Sequence, residues 1–230
     1  MIPVYTLTND NHLFLLRGYS YLWNEYADHS SYNTVVGFGG PTFELPKNFR
    51  FYSLGKQLPK EKWSDGLIQL CEMLQSDWFI LMLEDFWLTD FVDRLALNEL
   101  KKWFDDSILR IDLSGNRASY KQAQVIGKCM EYDMVETGVS VPYQMSFQAG
   151  IWNRRLLLSL LKKGESPWEV EIEGSKRITN ERVIGTNPAI MKYQPVWRCK
   201  RQQWQVDKIP TAKLEYMKSE GMLDVSSIRL

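Results

Sequence analysis

Glu84 and Asp85 stand side by side directly after the apolar run 78–83. Adjacent carboxylates are hard oxygen ligands, and with phosphate oxygens they complete a normal shell for Mg2+ or Mn2+. Such an ion neutralises charge building on a leaving diphosphate. The same two acids can also do no more than open a loop and cap the next helix. A second acidic pair, Glu169 and Glu171, follows Ser166, Pro167 and Trp168. A carboxylate against an indole sits in a partly apolar setting, which raises its pKa and suits a general base. Acids in a first helical turn are equally favourable to the helix dipole alone. Ser146, Gln148 and Trp152 form a third group. Hydroxyl, amide and indole at a strand end suit a sugar, while a core Trp152 and a turn-closing Gln148 are the alternative.

The fourth group is the stretch 192–213. Six basic residues, Arg198, Lys200 and Arg201 among them, face one acid, Asp207, with Tyr193, Trp197 and Trp204 interleaved. This mixture binds diphosphates, or tracks a phosphate backbone while stacking bases. Solvated surface with a few packed aromatics is the commoner outcome. His12 and His29 match no metal or triad spacing and read as structural.

The elements that must position these residues are legible in outline. A short continuous apolar run such as 78–83 reads as a strand buried on both faces. Its acids then lie at the carboxyl edge of a sheet, where open α/β proteins bind ligands. Residues 2–8, 34–38, 49–54, 108–113, 134–141 and 143–152 also read as strands. Helices are predicted over 12–26, over 61–75, after Asp90 as N-cap, over 153–163, from Ser166 with Pro167 at the first position, and over 211–223. A polar stretch with a short helix is expected between 113 and 134. This order favours α/β with a largely parallel sheet.

The chain has 230 residues, enough for one large domain or a domain with an appendage. We expect a main domain over 1–190 and a basic, aromatic extension over 191–230 packed on it. Lys plus Arg and Asp plus Glu each number 28, so no global basic field marks a nucleic-acid or membrane protein. Cys71, Cys129 and Cys199 are odd in number and widely spaced, as expected for reduced packing cysteines in a cytoplasmic protein. No transmembrane segment is expected, and the first residues lack the pattern of a secretory leader.

Three stretches carry a resemblance. They are Phe79-Ile-Leu-Met-Leu-Glu-Asp-Phe-Trp-Leu-Thr-Asp90, Phe147-Gln-Ala-Gly-Ile-Trp152, and Gly164-Glu-Ser-Pro-Trp-Glu-Val-Glu171. The chain resembles small GT-A-like glycosyltransferases of bacteria and phages. Those carry an acidic motif after a buried strand, a Gln-x-Gly-x-Trp segment and a Ser-Pro-Trp-Glu-x-Glu segment. The resemblance runs from Thr6 to about Arg177, and the third stretch is its most specific part. It implies a single-domain, Rossmann-like α/β sandwich that takes a nucleotide sugar, a UDP-sugar first. Thr6, Thr8 and Asn9 would lie near the nucleoside. Glu84 and Asp85 would form the donor site, with Asp85 the ligand to Mn2+ or Mg2+. Gln148 and Trp152 would lie near the transferred sugar. Glu169 would be the base, with Glu171 as runner-up, and inversion would follow. Trp168, Arg198, Lys200 and Arg201 are the acceptor-binding candidates. One departure is plain: Phe86 stands where the usual Asp-x-Asp has its second acid. The acceptor expected is a surface glycan or a hydroxymethylated base in phage DNA. The rival readings are a nucleotidyltransferase and a non-catalytic nucleic-acid- or glycan-binding protein.

Overall fold

The computed structural model describes residues 1–27 and 29–224. Strand β1 spans Val4–Leu7. Asn9 ends the extended chain: its side chain accepts from the Asn11 amide and opens a 3-10 turn over Asp10–Leu15. The turn runs on into α1, Leu16–Tyr26, which buries Leu16, Tyr19, Leu22, Trp23 and Tyr26. The helix predicted over 12–26 is thus two segments. Strands β2 (Asn33–Gly37) and β3 (Phe49–Ser53) run parallel, Asn33 opposite Phe49. Helix α2 (Trp63–Met73) turns Leu67, Leu70 and Cys71 inward, as the helical spacing predicts. Strand β4 is Trp78–Leu83, with Phe79 to Met82 fully buried. Glu84 and Asp85 form a turn into a short strand, β5 (Phe86–Leu88).

Helix α3 (Arg94–Glu99) is capped by Asp93, whose side chain accepts from the Ala96 amide, and not by Asp90 as predicted. Asp90 instead pairs with Lys192 at 2.7 Å. Strand β6 (Ile108–Asp112) is buried throughout. The polar stretch after it holds a strand missed in sequence, β7 (Gln124–Cys129), which pairs antiparallel with β8 (Tyr132–Thr137). A half-exposed edge strand carries no apolar alternation, so periodicity does not reveal it. The strand predicted over 143–152 shrinks to β9 (Gly150–Asn153). Its first half is a loop held by side chains: the Arg117 guanidinium donates to the carbonyls of Tyr143 and Gln144. Asn153 caps α4 (Arg154–Leu160). Helix α5 (Pro167–Arg177) starts as predicted, with Ser166 as N-cap and Pro167 in the first turn. The chain continues through β10 (Arg182–Asn187), β11 (Tyr193–Pro195), β12 (Trp197–Arg198), β13 (Gln203–Trp204) and α6 (Thr211–Ser219).

The fold is α/β, and the chain divides into two compact units. The first comprises Met1–Tyr5, Leu58–Met82 and Asp93–Ile190. Its strands follow the order β4-β9-β6-β10-β8-β7. Strand β10 is parallel to β6, while β9 runs antiparallel to both β4 and β6. Ile80, Leu81, Ile111, Ile151, Trp152 and Ile184 are at most 2% exposed and form the centre of its core. Helix α2 packs against α4 and α5.

The second unit comprises Thr6–Gln57, Leu83–Val92 and the chain from Met191 onward. Its strands are ordered β3-β2-β1, and α1 packs on β5. Strand β11 pairs antiparallel with β5, Tyr193 opposite Leu88. This pairing joins the chain after 190 to the second unit. Trp197 and Trp204 lie 5.1 Å apart, Trp204 lies 5.3 Å from Trp87, and Phe14 lies 5.1 Å from Trp197. These rings are packing groups of the unit.

Cys71 and Cys129 are buried and free; the side chain of Cys199 lies outside the described residues. Burial pushes the Cys71 thiol up to about 12, so it is inert. Among the described residues no helix is long and apolar enough to cross a membrane.

Candidate functional site

In the second unit the carboxyl ends of three strands meet. The Thr8 amide donates to the Val36 carbonyl at 2.9 Å, and the Glu84 amide donates to the Leu7 carbonyl at 3.2 Å. The polar residues that follow β1 and β4 are thereby brought together. His12 Nδ1 lies 2.6 Å from Glu84 Oε1 and 3.0 Å from Asn9 Nδ2. Asp10 Oδ1 accepts from the Gly39 amide at 2.7 Å, which fastens the loop after β2 to the same edge. Glu84 is 5% exposed. His12, which the sequence left as structural, is part of the cluster because the turn after Asn9 swings it back over the end of β4.

The electrostatics are those of a crowded acidic edge. Burial, and then the charge of Glu84, push the Asp85 carboxyl up to about 7, against the opposing effect of His12. Burial works against the charged form of His12, but the hydrogen bond and charge of Glu84, followed by the charge of Asp85, outweigh it and raise its pKa. Thr6, expected near the nucleoside, is fully buried: its hydroxyl donates to Asn33 Oδ1 at 2.9 Å and lies 2.8 Å from the Tyr19 hydroxyl. It joins strand to helix and is not available to a ligand.

A divalent ion here would be held by one or both carboxylates together with the phosphate oxygens of a bound donor. His12 takes up Glu84 Oε1, and among the described residues no three His, Cys, Asp or Glu side chains are grouped to hold a metal by themselves. Asp85 is the residue that would take the ion.

The first unit holds a second polar cluster, at the carboxyl end of β6. Arg110 is fully buried; its guanidinium donates to Asp112 Oδ2 at 2.8 Å and to the Gln148 carbonyl at 3.0 Å. Asp112 Oδ1 accepts from the Ser114 amide at 2.8 Å and hydroxyl at 2.6 Å. Gln148 Oε1 lies 3.0 Å from the Ser114 hydroxyl and also bonds Asn116. Gln148 is thus fixed from both its backbone and its side chain. Glycine is required at 150, where a Cβ would stand 2.8 Å from Arg110 Nε. Arg110, Asp112 and Ser114 were missed in sequence. Asp112 could have been found by the argument used for Glu84 and Asp85, since it too ends a buried apolar strand.

The two candidate bases meet different partners. Glu169 forms a capping box: its carboxylate accepts from the Ser166 amide at 2.8 Å. It is exposed, and the Ser166 side chain, followed by the Ser166 amide, holds its pKa below the ordinary range, the reverse of the rise predicted from Trp168. Glu171 is half-buried, and Oε1 accepts from the Phe147 amide at 2.8 Å, one residue from Gln148. Trp152 is fully buried, with Phe147 stacked 5.6 Å from it, so it is a core residue and not a sugar contact. Trp168 is 54% exposed, with Lys60 Nζ 3.8 Å from its ring centre. Arg198, Lys200 and Arg201 are exposed, but the indoles interleaved with them, Trp197 and Trp204, pack internally. This is the solvated basic surface with a few packed aromatics expected from the sequence as the commoner outcome.

No protein-family model and no curated protein matches the chain. Solved structures do. HddC from Yersinia pseudotuberculosis aligns with a TM-score of 0.46 at 11% identity over 96% of this chain and 100% of its own. The galactosyltransferase LgtC, solved with donor and acceptor sugar analogues, aligns with a TM-score of 0.39 at 13% identity over 79% of this chain and 67% of its own. A cytidylyltransferase from Leptospira borgpetersenii serovar Hardjo-bovis aligns with a TM-score of 0.38 at 9% identity over 100% of this chain and 99% of its own. Likenesses this distant assign no activity to the chain.

Proposed function

We propose that the protein is a glycosyltransferase that moves a hexosyl or pentosyl group from a nucleotide sugar, a UDP-sugar first, to a hydroxyl acceptor in the cytoplasm. The observation that carries this reading is the gathering of Thr8, Asn9, His12, Glu84 and Asp85 at the carboxyl ends of β1 and β4. Open α/β sheets bind ligands at that edge, and the residues there suit the polar groups of a nucleoside diphosphate. The resemblance assigns Thr8 and Asn9, in the second unit, to the nucleoside and Gln148, in the first unit, to a sugar hydroxyl. Glu171 is assigned the base, because its carboxylate lies against the Phe147 amide, one residue from Gln148, while Glu169 caps the start of α5. The base removes the acceptor proton, the acceptor oxygen forms the new bond to the anomeric carbon, and the diphosphate leaves with the electron pair. A single displacement of this kind inverts the anomeric centre.

The test is thermal shift and donor hydrolysis over a panel of nucleotide sugars. One nucleoside diphosphate should stabilise the fold, with slow release of its sugar. Absence of stabilisation by every nucleotide tested would sink the reading. Release of pyrophosphate from a nucleoside triphosphate and a sugar phosphate would instead favour a nucleotidyltransferase. That rival lacks its usual Gly-rich basic loop here, since Thr8-Asn9-Asp10-Asn11 follows β1. The acceptor is either a glycan hydroxyl or a hydroxymethylated base in DNA. Binding to such DNA should weaken steeply with salt, and salt-insensitive binding would exclude it.

A further inference from the structure

We infer that the sugar met by Gln148 is a uronic sugar, its carboxylate taken at the polar mouth that Ser114, Asn116 and Gln148 form beyond the end of β6; the inference rests on the glycosyltransferase reading above, which puts a sugar at Gln148. What carries it is an imbalance of buried charge. In the first unit Arg110, Asp112 and Arg117 are each at most 2% exposed, two guanidiniums against one carboxylate. Arg110 pairs with Asp112 at 2.8 Å. Arg117 donates to neutral acceptors, the Thr137 hydroxyl at 3.2 Å and the carbonyls of Tyr143 and Gln144 at 2.8 and 3.3 Å. Among the described residues no carboxylate pairs with Arg117, and Arg110 Nε and Nη1 find no hydrogen-bond partner. A buried charge is costly unless it is paired. One positive charge is left over inside the unit, and an anion of single charge is its complement. A neutral sugar would leave it uncompensated.

The acids nearest in the fold leave that charge standing. Glu136 is held by Arg182 through two bonds, at 2.6 and 2.9 Å, and Glu171 meets the loop at the Phe147 amide and bonds neither guanidinium. Burial, and then the charge of Arg110, push the Arg117 guanidinium down to about 10, so it stays charged at neutral pH. The mouth above is open to solutes: Asn116 is exposed, and Ser114 and Gln148 are half-buried. The Ser114 hydroxyl and the Asn116 amide both engage Gln148 Oε1, which ties the three side chains into one surface. The same Ser114 hydroxyl reaches Asp112 Oδ1 at 2.6 Å, so this surface rests directly on the buried charges. Inside a protein a charge is screened far less than in water, and its field reaches a group bound just above it. The carboxylate therefore needs no contact with either guanidinium.

The experiment is calorimetric titration of the intact protein with UDP, UDP-glucose, UDP-galactose, UDP-glucuronate and UDP-galacturonate, at fixed ionic strength, for the parent, Asn116→Asp and Arg201→Gln. At least one uronate donor should bind the parent tenfold or more tighter than its neutral counterpart. Asn116→Asp sets a negative charge at the mouth on an exposed residue, so it should fold as the parent does, which a thermal melt checks. It should erase the preference for the uronate while the affinity for UDP stays unchanged. Arg201→Gln removes an exposed cation of the second unit and should leave the preference intact. Neutral donors that bind as tightly as their uronates, a preference that survives Asn116→Asp, or one that falls in Arg201→Gln would overturn the inference and leave the glycosyltransferase reading standing. Failure of all five nucleotides to bind would remove both.

Discussion

Two residues apart on α5, Glu169 and Glu171 meet different partners, and their variants should separate accordingly. Glu171→Gln should lower turnover by about 100-fold or more, the usual range for a lost general base, with little change in melting temperature. Glu169→Gln should keep turnover and lower the melting temperature slightly, because only the capping box is weakened. Steady-state rates and thermal scans of both variants check this; equal rate losses would show that the base has been misassigned. Asp85 makes a second residue-scale prediction. Its folded pKa, about 7, lies above the value of an unfolded carboxylate. The folded state therefore holds a proton that the unfolded chain releases. The stability this brings is fully present below about pH 4 and is lost as pH rises through about 7. Asp85→Asn mimics the protonated form, so it should match the parent near pH 4 and exceed it by about 1–3 kcal/mol at pH 8. Urea melts at the two pH values decide it; a gap that fails to widen with pH would contradict the buried, charge-crowded setting. At this scale Glu84 and Asp85 were readable because acids directly after an apolar run are a local pattern. His12 was not, because its partner Glu84 is remote in the chain.

At the scale of elements, α1 is the clearest test of packing. A Cβ at Gly18 would stand 2.2 Å from the Trp87 ring and 2.7 Å from the Met217 methyl. Alanine favours a helix over glycine by about 1 kcal/mol. Overpacking a filled core costs about 1–3 kcal/mol, and Trp87 is fully buried, so the clash should win. Gly18→Ala should lower the melting temperature; a rise would show that Trp87 has room to move. At α5, Ser166→Ala should cost about 1 kcal/mol in denaturant melts through loss of the N-cap. Helix starts were the most legible elements. Ser166 and Pro167 mark α5 by local hydrogen bonding and a fixed φ, which need no tertiary partner. Strands fared less well. The loop before β9 is apolar enough to read as strand, yet its backbone bonds to Arg117 and Glu171 instead of a neighbouring strand.

At the scale of the whole molecule, Arg110 is a charge held inside the core of the first unit. It is fully buried and is the ion-pair partner of Asp112, itself 2% exposed. Removing one partner of a buried pair leaves the other charge uncompensated, at about 3–5 kcal/mol. Arg110→Met should therefore lower stability by that order, and a melt within 1 kcal/mol of the parent would show that water replaces the guanidinium. Several things followed from the sequence alone. They were the alternation of strands and helices, the buried β4 with its acids, the cap of α5 and the packing role of Cys71. Each depends on periodicity, composition or a bond between near neighbours. The tertiary structure alone decided the rest. It placed His12 on Glu84, Asp112 and Ser114 beside Gln148, and the indoles of the tail in the second unit's core. It also assembled each unit from three separate segments of chain. Those outcomes come from pairings between residues far apart in sequence, where a side chain's partner is set by strand order and register and leaves no local trace.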